Sequence, residues 1–165
     1  MGRKLYIKQK LFSIGEKFTV YDEHERPQYH VQGSFMQIPK SFKILNQREE
    51  EIATITKKIF SWLPKFYVDI RNNPQIIIDK ELTFFKAKYH ISAEGIEVQG
   101  NWWDMDFQVI RHGRAIADIN KRWFTFGDTY EVNVLDEKYE EMIISLVIAI
   151  DCVKEDQNAA SSAST

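Results

Sequence analysis

From residue 5 to about residue 134 the chain alternates apolar and polar positions in short runs separated by turn residues. A period of two predicts half-buried β-strands. The first group of runs is KFTVYDE (17–23), QYHVQG (28–33), FKILNQ (42–47), EIATITKK (51–58) and FYVDI (66–70). The second is KAKYHIS (86–92), GIEVQG (95–100), FQVIR (107–111), AIADINKR (115–122) and YEVNV (130–134). DEHER (22–26), NQREE (46–50), RNNP (71–74), SAEG (92–95) and RHGR (111–114) supply the turns.

The two groups repeat one another. VQGSFM (31–36) matches VQGNWW (98–103), and IATITKK (52–58) matches IADINKR (116–122), with FYVDI (66–70) falling on YEVNV (130–134) at the same 64-residue offset. Two repeats are too few for a solenoid, so a sheet with two-fold pseudo-symmetry is expected.

The pattern changes at MIISLVIAIDCV (142–153), where apolar residues cover every side. This stretch falls well short of the roughly 20 residues needed to span a bilayer as a helix. Asp136 as N-cap, Glu137, Glu140 and Glu141 in the first turn, and Lys154 near the far end predict a helix over 137–154. A helix apolar all round must be enclosed. A sheet of about ten to twelve strands wrapped around it would do so.

Composition narrows the function. Net charge is −2, so the overall field calls for neither nucleic acid nor an anionic surface. The single cysteine, Cys152, excludes an internal disulfide and reads as a buried inert thiol. The start, MGRKLYIKQK, is basic without the apolar core of a signal peptide, and Tyr6 stands where a myristoylation signal has Ser or Thr. A cytoplasmic protein is expected, at most peripheral to a membrane. The tail 156–165 reads as disordered, leaving one domain over 1–155.

The repeat, the VQG pair, the I-A-x-I-x-K-[KR] pair and the terminal apolar helix together resemble the LURP-one-related family, specifically its YxjI-like members. The likeness covers about residues 3 to 155. It implies a mainly β fold: a closed antiparallel barrel of about twelve strands, built from two pseudo-repeats around a central hydrophobic C-terminal helix. The family is similar in fold to tubby C-terminal domains and phospholipid scramblases. The resemblance carries over no catalytic motif, and neither a metal nor a cofactor is expected. It points to a non-enzymatic binding module for anionic phospholipid headgroups or an apolar ligand. The alternative is a protein-partner-binding or structural protein with no lipid role.

Three sets of residues carry the binding candidates. Lys57-Lys58 and Lys121-Arg122 occupy matching repeat positions and precede aromatics (Phe60 and Trp62; Trp123, Phe124 and Phe126), a pairing suited to an anionic headgroup at a membrane interface. Solvated strand ends, with the aromatics filling the barrel, are the plainer account. Trp102 and Trp103 could contact a membrane or partner, with neighbours in a strand pointing to opposite sides. Arg3, Lys4, Lys8 and Lys10 could face anionic lipid, although outward lysines on an edge strand explain them more simply. Asp104, Asp106 and His112, and His24 with His30, read as polar surface, and no P-loop, dinucleotide fingerprint, nucleophile elbow or zinc spacing occurs.

Overall fold

The computed structural model describes residues 2–9, 16–34, 41–58, 62–82, 87–123 and 128–163. Among them are twelve strands: β1 (Arg3–Gln9), β2 (Glu16–Asp22), β3 (Pro27–Ser34), β4 (Ser41–Asn46), β5 (Glu51–Lys57), β6 (Lys65–Ile70), β7 (Ile76–Leu82), β8 (Ala87–Ser92), β9 (Ile96–Asn101), β10 (Asp106–Arg111), β11 (Arg114–Trp123) and β12 (Asp128–Val134). Two 3-10 turns (Trp102–Asp104 and Glu137–Tyr139) and one helix, α1 (Glu140–Ala163), complete them.

All ladders are antiparallel, and each strand pairs with its sequence neighbours except at one place. β1 joins β12, whereas β8 and β9 are the two ends of the sheet order. The sheet therefore curls into a nearly closed barrel whose seam lies between β8 and β9. β1 is not an edge strand: it is paired on both sides, and Lys4 and Lys8 alternate outward from buried Leu5 and Ile7. β7 has no counterpart among the alternating runs, because IIIDKEL opens on three isoleucines, of which Ile76 and Ile78 are buried.

The two-fold repeat is real down to register. Ala53 faces Ile70 and Lys57 faces Phe66, while 64 positions later Ala117 faces Val134 and Lys121 faces Tyr130. A bulge follows Ile44 in one half and Val109 in the other. The VQG glycines also have a structural reason. Gly33 lies opposite Phe42 and Gly100 opposite Phe107. A Cβ there would stand 2.4 Å from the Ser41 carbonyl oxygen or 2.8 Å from that of Asp106, so only glycine allows these strands to approach.

α1 fills the barrel and lies against β5, β6, β7, β12 and the first 3-10 turn. Every residue from Met142 to Val153 is buried, as the all-round apolar pattern requires. Asp136 caps the 3-10 turn leading into the helix, its side chain accepting from the Lys138 amide at 3.2 Å. The helix runs further than its apolar stretch. It is 24 residues long, about 36 Å at 1.5 Å per residue, and continues through the segment expected to be a disordered tail as far as Ala163. Asp156 and Gln157 explain the extension: Lys57 binds the first, and Lys80 and Tyr89 bind the second.

Candidate functional site

Strand alternation splits each basic pair. Lys57 follows Ile55 on the inner face and donates to both Asp156 carboxylate oxygens at 2.8 and 2.9 Å, neutralising a carboxylate that is only 4% exposed. Lys121 shares the inner face with Ala117 and Ile119 and is half-buried. Lys58 and Arg122 face outward. Lys58 is exposed, while Arg122 joins Lys4 around the buried Glu131. The four cations thus do not form one patch. Trp62 is exposed, whereas Phe60, Phe124, Phe126 and the Trp123 side chain lie outside the described residues.

Trp102 and Trp103 form a 3-10 turn instead of continuing β9. Asn101 caps the turn by accepting from the Asp104 amide, and Met105 closes it in the left-handed region at φ 58°. This bend brings both indoles onto one side, where they pack with Tyr89 of β8. Trp103 stacks on Tyr89 at 5.4 Å, and Trp102 meets Trp103 edge-on at 5.5 Å. The cluster bridges the seam, with both indoles half-buried. Tyr89 donates to Gln157 at 3.0 Å, and Lys80 donates to the same oxygen at 2.9 Å. Burial, aided by the Asp156 charge, pushes the Tyr89 phenol up to about 12. Along the seam, Tyr89 and Ile91 of β8 and Ile96 and Val98 of β9 point toward the core but remain half-exposed. Asp104 and Asp106 are both exposed, Asp104 in the turn and Asp106 opening β10. Among the described residues no three His, Cys, Asp or Glu side chains come together to hold a metal ion.

A second concave region surrounds the point where the chain enters α1. Topological parity gathers it: in an up-and-down barrel every second connection returns to the same end. The turns after β2, β4, β6, β8 and β10 therefore all lie at the end of the barrel where the helix starts. The start of β1, the β6–β7 turn, the end of β10 and the helix start enclose a basin of about 710 Å³ lined by Arg3, Arg71, Arg111, Lys138, Tyr139 and the glutamates that open the helix. Arg3 donates to both oxygens of Glu140 at 2.8 and 3.0 Å and to Gln28 at 2.6 Å. Tyr29 donates to Glu140 at 2.7 Å, and burial together with that bond raises its pKa. Arg71 grips Glu141 at 2.6 and 3.0 Å and lies 3.5 Å from Glu50. The Glu141 bond, with Glu50, drives the Arg71 pKa upward. Arg111 differs from both. Its guanidinium lies over the Tyr139 ring, 4.8 Å from the centroid, and its Nε is buried with no acceptor.

The LURP-one-related family model matches residues 3–151. This chain belongs to that family. The chain is 29% identical over 147 residues to the uncharacterized protein YxjI of Bacillus subtilis (strain 168), covering 89% of this chain and 90% of the relative. It is also similar in fold to the X-ray structure of a protein from Arabidopsis thaliana, with a TM-score of 0.57, 12% identity and 91% of each chain covered.

The matched span of the family model takes in the seam and the helix-entry basin, while Asp156 and Gln157 lie beyond it. Sequence reasoning placed Arg71 and Arg111 in turns and stopped there. Counting strand parity would have put both, with Arg3, at the mouth through which the helix enters. Among the described residues no helix of this family member is long and apolar enough to cross a membrane.

Proposed function

We propose that this protein is a non-enzymatic binding module that holds an apolar chain along the β8–β9 seam. The observation supporting this is the half-exposure of Tyr89, Ile91, Ile96 and Val98, inward aromatic and aliphatic side chains of a barrel that buries most of the others it points inward. Trp102 and Trp103 cap one end of this strip and offer the large amphipathic surface suited to apolar ligands. The basic pairs favour a headgroup contact less, because Lys57 and Arg122 already neutralise buried carboxylates. A second reading, strand addition by an extended peptide partner, is favoured by the outer edges of β8 and β9, which pair with no strand among the described residues.

A homologous series of uncharged straight-chain alcohols tests the apolar reading, followed by isothermal titration calorimetry. Affinity is expected to rise about fourfold per methylene, from about 0.8 kcal/mol for each buried CH₂. Replacing both Trp102 and Trp103 with Ala should abolish this dependence while the fold persists. Binding that ignores chain length, or survives the double substitution, would sink the apolar reading. Competition by extended peptides, and not by alcohols, would favour the second.

A further inference from the structure

We infer that the helix-entry basin is an anion site, with Arg111 and Lys138 as its recognition groups and a phosphate group as its ligand. This inference does not depend on the seam. Three cations of the basin differ sharply in how they are satisfied. Arg3 and Arg71 are held by glutamates of the helix start and serve to tie β1 and the β6–β7 turn to α1. Arg111, the last residue of β10, has neither an ion pair nor a hydrogen-bond acceptor among the described residues, and its Nε is buried. Stacking on Tyr139 orients the guanidinium but leaves its N–H groups unmatched.

Lys138 supplies the second observation. Its ammonium sits over the same Tyr139 ring, 5.6 Å from the centroid. It too has no carboxylate within salt-bridge distance among the described residues. The Arg111 fork and the Lys138 ammonium both line the basin, and together they are donors suited to phosphate. The basin, at about 710 Å³, has room for more than a bare ion. The ligand class is therefore a phosphate borne on a larger body, whether a small phosphorylated molecule or a phospholipid headgroup.

The probes are inorganic phosphate against chloride at matched ionic strength, read by thermal melting. A second arm uses phosphatidylcholine vesicles with and without phosphatidic acid, read by sedimentation. Phosphate should stabilise the wild type beyond chloride. Arg111→Gln should weaken that affinity about tenfold, and Lys138→Gln, at an exposed side chain, a few-fold. Retention on phosphatidic acid vesicles that Arg111→Gln abolishes assigns the site to a headgroup. Phosphate stabilisation without retention assigns it to a soluble phosphate. Should Arg111→Gln fail to fold, Arg111→Lys keeps the charge without the fork and is expected to bind at intermediate strength. Equal response to phosphate and chloride with no vesicle retention would overturn the inference, as would variants that bind like wild type.

Discussion

The junctions β2–β3 and β8–β9 occupy equivalent places in the two halves of the barrel, yet one is sealed and the other open. At the first, a ladder with bulges joins the strands, and Phe18, Val20, Tyr29 and Val31 are buried beneath it. Its turn is clamped by Asp22, which accepts from the amides of His24 and Arg26 at 2.9 Å and from the Arg26 side chain at 2.8 Å. Burial pushes the Asp22 pKa up, but these N–H donors outweigh it and hold the carboxyl below its ordinary value. At the second junction the turn has no such acid. Ile96 donates to the Ala93 carbonyl at 3.3 Å, and no ladder follows among the described residues. The same repeat unit thus produces a wall on one side and a slit on the other. The difference lies in the turn and in the Trp102–Trp103 bend, while the strands keep their inward apolar pattern in both.

The motif VQG provides a matched pair of residues for breaking this comparison. Val31 is fully buried, while Val98, its counterpart, is half-exposed at the seam. Val31→Asp should unfold the protein or cost more than about 3 kcal/mol, since an unpaired carboxylate would enter the sealed wall. Val98→Asp should cost about 1 kcal/mol, because water reaches that side chain. Urea denaturation measures both. Equal losses would show that the seam is closed in solution.

The glycines sharpen the comparison at smaller amplitude. Gly33→Ala must push Cβ against the Ser41 carbonyl with strands on both sides of β3 resisting. Gly100→Ala meets the Asp106 carbonyl at 2.8 Å, but β9 is paired on one side only and can yield. Both should destabilise, by about 2–3 kcal/mol for Gly33 and about 1–2 kcal/mol for Gly100, beyond the usual gain of under about 1 kcal/mol that an Ala brings at a compatible site. A larger loss at Gly100 would mean that β9 is as constrained as β3.

Much of this architecture was legible in the chain because it rests on periodicity. Alternation located the strands with a clear in–out pattern, and repetition of VQG and I-A-x-I-x-K-[KR] marked the pseudo-symmetry that the register bears out. What was hidden either lacks alternation, turns on a local bend or depends on partners distant in sequence. β7 opens on three isoleucines and shows no alternation. β1 reads like an edge until β12, more than a hundred residues away, pairs with it. The helical tail is polar, and Lys57, Lys80 and Tyr89 must hold it before it orders against the barrel. Trp102 and Trp103 meet Tyr89 only because Asn101 and Met105 bend the chain locally. Arg111 stood in a recognised turn, but that it lacks a carboxylate becomes visible only when all the turns at that end are assembled.

The smallest effect concerns how the seam is held at its aromatic end. Tyr89 contributes a hydrogen bond to Gln157, worth about 1 kcal/mol, so Tyr89→Phe should lower the melting temperature at neutral pH by about 2–4 °C. Its folded pKa, about 12, stands above the ordinary tyrosine value near 10. A raised pKa means that the neutral phenol is the form the fold favours. Its contribution is complete below about pH 10 and is lost as pH climbs through about 12. The gap between wild type and Tyr89→Phe should therefore narrow across that window, since phenylalanine has no proton to lose. Tyr29, on the sealed side, also has its pKa raised by burial and by Glu140, but it titrates in both proteins and leaves the difference untouched. Melting curves of the two proteins at pH 7, 9.5 and 11.5 measure the gap directly. A gap that stays constant would mean that the phenol faces bulk water, and the aromatic cluster would then no longer close that end of the seam.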